Sequence, residues 1–238
     1  MEHTYFFAVD LGATSGRTIL GCLGEGKMEL KELTRFPNHI IETGGHCYWD
    51  IYALYNEIIK GLGLKLSLKE QFETIKKNFE ALAGKDYAAS RGEYLNGIIM
   101  ANYLGYEFID AATVICFDKD GEFDSEKTNA VCEAKFANIE RAVVPGFYGA
   151  MPNGKVKTFS RGGSDVTGSI VARALKADMY ENWTDVSGFL AADPRIVNNA
   201  KPINVITYKE LRELSYMGAS VLHESAIFCK KGWNSIVL

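Results

Sequence analysis

The stretch Ser160-Arg161-Gly162-Gly163-Ser164-Asp165-Val166-Thr167-Gly168-Ser169-Ile170-Val171-Ala172-Arg173-Ala174-Leu175 decides the fold. A basic, glycine-rich turn runs straight into a helix predicted over about Asp165–Leu175. Two adjacent glycines let the backbone come close to a ligand, and the helix N-terminus behind them favours an anion. Arg161 adds a planar fork of donors suited to a carboxylate or phosphate, a charge-assisted bond worth about 1.5–3 kcal/mol. An ordinary helix start capped by Ser164 would explain the serine but not Arg-Gly-Gly. Working outward, a strand is expected over Asp178–Trp183, and Thr207-x-x-Glu210 has the spacing of a capping box opening another helix. Upstream, Tyr106–Asp110, Thr113–Phe117 and Arg141–Val144 read as strands, with a polar helix from about Ser125 between them. Two further runs flank Asn153-Gly154, a dipeptide favoured in type I′ hairpin turns. Strands alternating with helices predict an α/β fold with a mainly parallel sheet covered by helices on both faces.

The first 62 residues read differently. Tyr5–Val9 is a short apolar run ending at Asp10, Arg17–Leu20 returns, and Met28–Phe36 alternates, so a three-strand meander is expected. Asp50 is placed to cap a helix carrying Ile51, Leu54, Tyr55, Ile58 and Leu62 on one face. Gly61-Leu62-Gly63 breaks that pattern. Leu68, Phe72, Ile75, Phe79 and Leu82 then recur at helical spacing, and Ser90-Arg91-Gly92-Glu93 has capping-box spacing before a helix with Leu95, Ile98, Ile99 and Leu104.

Composition narrows the function. The 238 residues carry 26 Lys and Arg against 30 Asp and Glu, a net charge of −4, with no footprint for nucleic acid or an anionic membrane. No apolar run reaches the ~18 residues of a membrane-spanning helix. The five cysteines are scattered without a C-x-x-C pair and the four histidines lack metal-ligand spacing, so no metal site is expected from either. A cytoplasmic location is the expectation.

Besides the Arg161 turn, three constellations could carry chemistry. Asp10, followed by Gly12-Ala13-Thr14-Ser15-Gly16-Arg17, would suit a nucleotide phosphate with its Mg²⁺; an ordinary hairpin turn containing an arginine explains the same residues equally well. Trp183-Thr184-Asp185-Val186 through Asp193-Pro194-Arg195 follows an expected strand end, where open α/β sheets bind ligands; a surface loop with an internal Asp–Arg pair is the competing reading. Glu93 is accounted for as the return partner of a Ser90 cap.

Two resemblances extend this reading. Phe7–Arg17, Leu33-Thr34-Arg35-Phe36-Pro37-Asn38 and Tyr48-Trp49-Asp50-Ile51 resemble the N-terminus of rhamnulokinases, sugar kinases of the actin-like ATPase superfamily. That resemblance implies a phosphate loop formed by Ala13, Thr14, Ser15, Gly16 and Arg17, with Asp10 near the metal. From about residue 65 to 228 the chain resembles aspartate kinases of the amino-acid-kinase fold. The motifs are Ser90-Arg91-Gly92-Glu93-Tyr94-Leu95, Val144-Pro145-Gly146-Phe147-Tyr148-Gly149, Phe159–Asp165, Trp183–Val186 with Ala192-Asp193-Pro194-Arg195, and Gly218-Ala219-Ser220-Val221-Leu222-His223.

The second resemblance implies an ATP- and Mg²⁺-dependent phosphotransferase acting on the β-carboxylate of aspartate, as in lysine biosynthesis. In it Glu93 binds the amino group of aspartate, Arg161 and Ser164 hold its carboxylate end, and Thr184, Asp185, Asp193 and Arg195 contact ATP. Arg161 and Asp185 are the expected catalytic residues, and the family suggests a homodimer. Residues 1–64 hold no K-F-G-G-[ST]-S loop, whose lysine in aspartate kinases stabilises the transferring phosphoryl group, and no regulatory ACT domain is recognisable. The sequence therefore reads as a chimera, with a sugar-kinase-like segment over 1–62 and an incomplete aspartate-kinase-like three-layer sandwich over 63–238. Weak or absent activity is the expectation, and a rhamnulokinase-like sugar kinase fragment or an inert fusion product is the alternative.

Overall fold

The structure is a computed structural model. It describes residues 4–11, 15–24, 27–38, 40–160 and 162–181, and beyond them 197, 200, 201, 203, 205–207, 210, 213 and 235–237. The chain divides into two compact units, Met1–Lys77 with Asn102–Gly105, and Asn78–Ala101 with Tyr106–Leu238.

In the first unit β1 (Thr4–Leu11), β2 (Ser15–Gly24) and β3 (Lys27–Pro37) form the expected antiparallel meander in the order β1-β2-β3. Its register is continuous except for a bulge, where Thr18 faces Thr34 but Ile19 faces Glu32, so that Leu33 is the extra residue. The hydroxyls of buried Thr18 and half-buried Thr34 share a hydrogen bond of 2.6 Å across this pair. A second hairpin, β4 (Ile40–Thr43) and β5 (His46–Trp49), turns on Gly44 and Gly45, both at positive φ, as a two-residue type I′ turn requires. Asp50 then caps α1 (Ile51–Gly61), accepting from the Ala53 N–H at 2.9 Å as the sequence predicts. Leu54, Tyr55, Ile58 and Ile59 form the buried stripe of α1, and a Cβ on Gly61 would lie 2.7 Å from Thr34 Oγ1, so only glycine lets this helix end meet β3. The next helix, α2 (Lys69–Glu80), buries Ile75 and sets Phe72 edge-on against Tyr52 and Tyr55.

The second unit takes most of α3 (Lys85–Leu104), followed by β6 (Glu107–Phe108), a 3₁₀ turn at Ala111–Thr113, α4 (Ser125–Phe136), β7 (Ala142–Val143), β8 (Tyr148–Ala150), β9 (Val156–Thr158) and α5 (Gly163–Ala174). Strands β10 (Val205–Thr207) and β11 (Ser235–Val237) pair antiparallel. Strands and helices alternate as expected for the α/β class. Parallel pairing is present at β6–β7 and at the bridge between Cys116 and Ala150, whereas β8–β9 is antiparallel. The core gathers Ile109, Ala111, Val114, Ile115, Phe117, Cys132, Tyr148, Val166, Ile170 and Ala174. Thr128 of α4 is fully buried; its hydroxyl accepts from the Cys116 N–H at 2.9 Å, satisfying a backbone donor that the short strands leave over.

Four local expectations are corrected. Helix α3 begins at Lys85, so Ser90 lies inside it and donates to the Tyr87 carbonyl at 2.8 Å; the Ser90–Glu93 spacing is not a cap. Thr113–Phe117 is not a strand, because Asp110 caps the 3₁₀ turn through the Ala112 N–H and only bridges at Cys116 and Phe117 follow. Asn153-Gly154 does not form a two-residue turn. Met151 and Lys155 close a three-residue loop in which Gly154 alone has positive φ, and the Asn153 side chain accepts from the Lys155 N–H. The described part of the expected strand Asp178–Trp183, residues 178–181, is irregular. Lys176 at φ 52° ends α5, and Tyr180 folds back to donate to the Asp165 carbonyl at 3.3 Å.

The capping box at Thr207 is present as predicted: the Glu210 N–H donates to Thr207 Oγ1 at 3.3 Å, and the Thr207 N–H donates to the Glu210 carboxylate at 2.9 Å. These bonds to Thr207 hold the Glu210 carboxyl below its ordinary range.

Gly149 is the most crowded of the described glycines. A Cβ there would sit 2.7 Å from Ile115 Cγ2, on backbone already fixed by the Ala150 N–H to Ile115 carbonyl bond. Gly149→Ala is expected to cost about 3 kcal/mol, read as a lowered urea midpoint with an unchanged m-value; wild-type stability would show that the two segments can separate freely.

Candidate active site

Among the described motif residues, the segment Val144–Gly149 packs against the N-terminus of α5. Gly162 precedes the helix in the left-handed region (φ 56°) and supplies no side-chain cap. The first-turn N–H groups are therefore left for another acceptor. Ser164 is exposed on that turn, and since Gly162 is the residue that precedes the helix, Ser164 is not its cap.

The segment Val144–Gly149 buttresses this turn from behind. A Cβ on Gly146 would lie 3.0 Å from Ser164 Cα, and one on Gly163 would lie 2.6 Å from Phe147 Cβ. Phe147 adopts φ 64°, a costly conformation for a bulky residue. Three bonds hold it there: its N–H donates to Thr167 Oγ1 at 3.0 Å, the Thr167 hydroxyl donates to the Gly163 carbonyl at 2.8 Å, and the Phe159 N–H donates to the Phe147 carbonyl at 2.9 Å.

Helix α3 supplies Glu93. Tyr87, Arg91 and Leu95 follow one another at i+4 spacing and are buried, so Glu93, two residues on from Arg91, is turned to solvent. With the cap excluded, Glu93 makes no hydrogen bond or ion pair to another described residue. The inward face carries chemistry the sequence reading missed. Arg91 is 8% exposed and its guanidinium carbon lies 4.4 Å from the Tyr87 ring centre, 4.5 Å from that of Tyr94 and 5.4 Å from that of Tyr148. Tyr148 is fully buried and donates its hydroxyl to Asp110 Oδ1 at 2.7 Å. Burial first, then the Asp110 charge, pushes the Tyr148 phenol far above its ordinary value; burial followed by Asp110 also raises Tyr94. Tyr87, Arg91 and Tyr94 at i, i+4 and i+7 were the available signal for this cluster.

Glu93 and Ser164 thus belong to the same unit. Asp10, Ser15, Gly16 and Arg17 lie in the first unit, on the β1–β2 hairpin, where Arg17 Nε donates to Asp10 Oδ2 at 2.8 Å across a register pair. The Asp10 carboxylate is therefore engaged by its own hairpin. Ala13, Thr14, Arg161, Thr184, Asp185, Asp193 and Arg195 lie outside the described residues. Among the described residues no group of three or more His, Cys, Asp or Glu could hold a metal ion, and no helix is long and apolar enough to cross a membrane.

A family model for the amino acid kinase family matches residues 30–237, and the chain belongs to that family. Within it the similarity is to aspartokinases. Aspartokinase 3 of Bacillus subtilis is 38% identical over 189 residues, covering 74% of this chain and 41% of the relative. The crystal structure of Clostridium acetobutylicum aspartate kinase is 60% identical, with a TM-score of 0.69 over 76% of this chain and 42% of that one. E. coli aspartokinase III in complex with aspartate and ADP is 25% identical, with a TM-score of 0.62 over 79% of this chain and 47% of that one. The chain thus spans about two fifths of the curated aspartokinase it matches, and its α/β fold is amino-acid-kinase-like. A rhamnulokinase of Bacteroides thetaiotaomicron is 64% identical over 70 residues, 29% of this chain and 14% of that enzyme.

Burying Tyr148 has a consequence in alkali. Its pKa is raised in the folded state, so the unfolded chain loses this proton first. The stabilisation is present below the ordinary tyrosine value of 10.0 and declines as pH rises beyond it. Tyrosinate absorbance is expected to rise in two stages, the second coinciding with loss of the circular dichroism signal; a single reversible stage before unfolding would contradict this burial.

Proposed function

We propose that the chain is an aspartate-kinase-like phosphotransferase that binds aspartate and ATP and transfers the γ-phosphoryl group to the aspartate β-carboxylate. The observation that carries this reading is the freedom of Glu93: α3 continues through Ser90, so the carboxylate has no capping duty and stands in solvent on the helix that carries the matching motif. In this reading Glu93 takes the amino group of aspartate, and Ser164 with Arg161 takes its carboxylate end at the uncapped α5 turn. Thr184, Asp185, Asp193 and Arg195 hold the nucleotide, which enters as its Mg²⁺ complex. Arg161 and Asp185 stabilise the transfer, in which a β-carboxylate oxygen bonds to the γ-phosphorus, the bond to the β-phosphate oxygen breaks, and ADP leaves.

The 70-residue rhamnulokinase similarity supports a further part of the proposal, that residues 1–62 and 63–238 descend from different kinase families. A phosphate-binding loop of the aspartate-kinase type is not found in residues 1–64. Losing one preorganised donor commonly costs about 10²–10³ in rate, so turnover is impaired while aspartate binding persists. A homodimer belongs to the same reading. The sugar-kinase alternative would rest on Asp10 and Ala13–Arg17, and would show as ADP release dependent on rhamnulose.

The test is aspartate-dependent ADP release with the acyl phosphate trapped by hydroxylamine. A low rate above the blank is expected, and Glu93→Gln should raise the aspartate concentration needed by about 10- to 100-fold, the loss of one charge-assisted contact. No release from folded protein would remove the claim of turnover, and an unchanged requirement in Glu93→Gln would remove the role of Glu93.

A further inference from the structure

Arg91 is a buried cation with no ion pair among the described residues. Neutral groups hold it. Its Nε donates to the Tyr87 carbonyl at 3.3 Å and to Ser90 Oγ at 3.2 Å, and Nη2 donates to Ser90 Oγ at 2.9 Å. Three tyrosine rings surround the guanidinium, two from α3 and one from β8. An apolar side chain of similar volume fills a core site at lower desolvation cost, so packing alone does not explain an arginine here. What the guanidinium adds is a planar surface that joins α3 to Tyr148.

Tyr148 is tied at its other end to Asp110, which is itself occupied as a cap. The residues immediately before it, Gly146 and Phe147, are those that touch Ser164 and Gly163. Arg91 is two residues from Glu93. Through Tyr148 the guanidinium is thus joined by packing to the segment that touches Ser164. A second close approach reinforces the connection, since a Cβ on Gly97 of α3 would lie 3.0 Å from Phe108 and 3.4 Å from Pro145.

We infer that Arg91 is a positioning residue that fixes Glu93 with respect to Ser164 by clamping α3 onto β8, and thereby sets the affinity for aspartate but not for nucleotide. This inference rests on the aspartate reading above. It assigns Arg91 no contact with substrate; the effect passes through helix placement, since a displacement of about 1 Å of a positioning group can cost about 10²-fold in function.

The experiment is calorimetric titration of the full chain with aspartate and, separately, with ADP, which needs no turnover. Arg91→Met is expected to raise the aspartate dissociation constant by about 10-fold or more while ADP changes by less than about twofold. Arg91→Lys, keeping the charge and part of the stem, should recover part of the loss, and Tyr148→Phe, which frees the ring from Asp110 without removing it, should lose less than Arg91→Met. Arg141→Met is the control, removing an arginine stacked 5.7 Å from Tyr106 outside this cluster, and should leave both constants unchanged. If Arg91→Met fails to fold, Arg91→Lys and Tyr148→Phe decide alone. Folded variants that bind aspartate normally, or that lose aspartate and ADP in parallel, overturn the positioning role and leave the aspartate reading intact. A wild-type chain that binds ADP but not aspartate overturns both.

Discussion

The second unit depends on one close passage of backbone past backbone. At Gly149 the chain of β8 runs against Ile115, and the absence of a side chain there allows the Ala150 N–H to reach the Ile115 carbonyl. That contact sets the depth of β8, and with it the burial of Tyr148 and the placing of Phe147 against Gly163. Through Phe147 it governs the entry into α5; through Tyr148 it governs the face that α3 meets. The exposed residues Glu93 and Ser164, to which substrate contacts are proposed, are thus carried by a packed interior that determines where they stand.

The elements the sequence disclosed correctly are those in which a side chain and its backbone partner lie within a few residues. Asp50 over Ala53, and Thr207 with Glu210, are self-contained: spacing alone makes the bonds. Ser90-x-x-Glu93 has the same spacing and fails, because Tyr87, Arg91 and Leu95 continue the buried stripe of α3 through it and the helix already started at Lys85. Asn153-Gly154 likewise lost to a non-local preference, since the pairing of Tyr148 with Thr158 and Ala150 with Val156 leaves five residues to be closed. The β4–β5 hairpin went unread although Gly44-Gly45 between Ile40–Thr43 and His46–Trp49 carries a turn signal.

The motifs were legible in the sequence and the packing behind them was not. Glu93 and Ser164 come from motifs that resemble aspartate kinase, yet their freedom from capping follows from α3 starting at Lys85 and from Gly162 preceding α5. Arg91 was invisible because nothing in sequence separates an arginine on the outside of a helix from one on the inside; only the tyrosines four residues before it and three after mark the inward face. On the first unit the hairpin reading of Asp10 and Arg17 matches the geometry, as the two residues face each other across β1 and β2.

The β4–β5 hairpin has a consequence of another kind. Two strands of four residues pair with no further strand among the described residues and leave Ile40, Ile41, Tyr48 and Trp49 half in water. A lone two-stranded ribbon is marginal, so its amides exchange with solvent sooner than those around Ile115. Its strand edges, unpaired among the described residues, and its half-exposed apolar side chains make it a place where molecules in a concentrated solution begin to stick to one another.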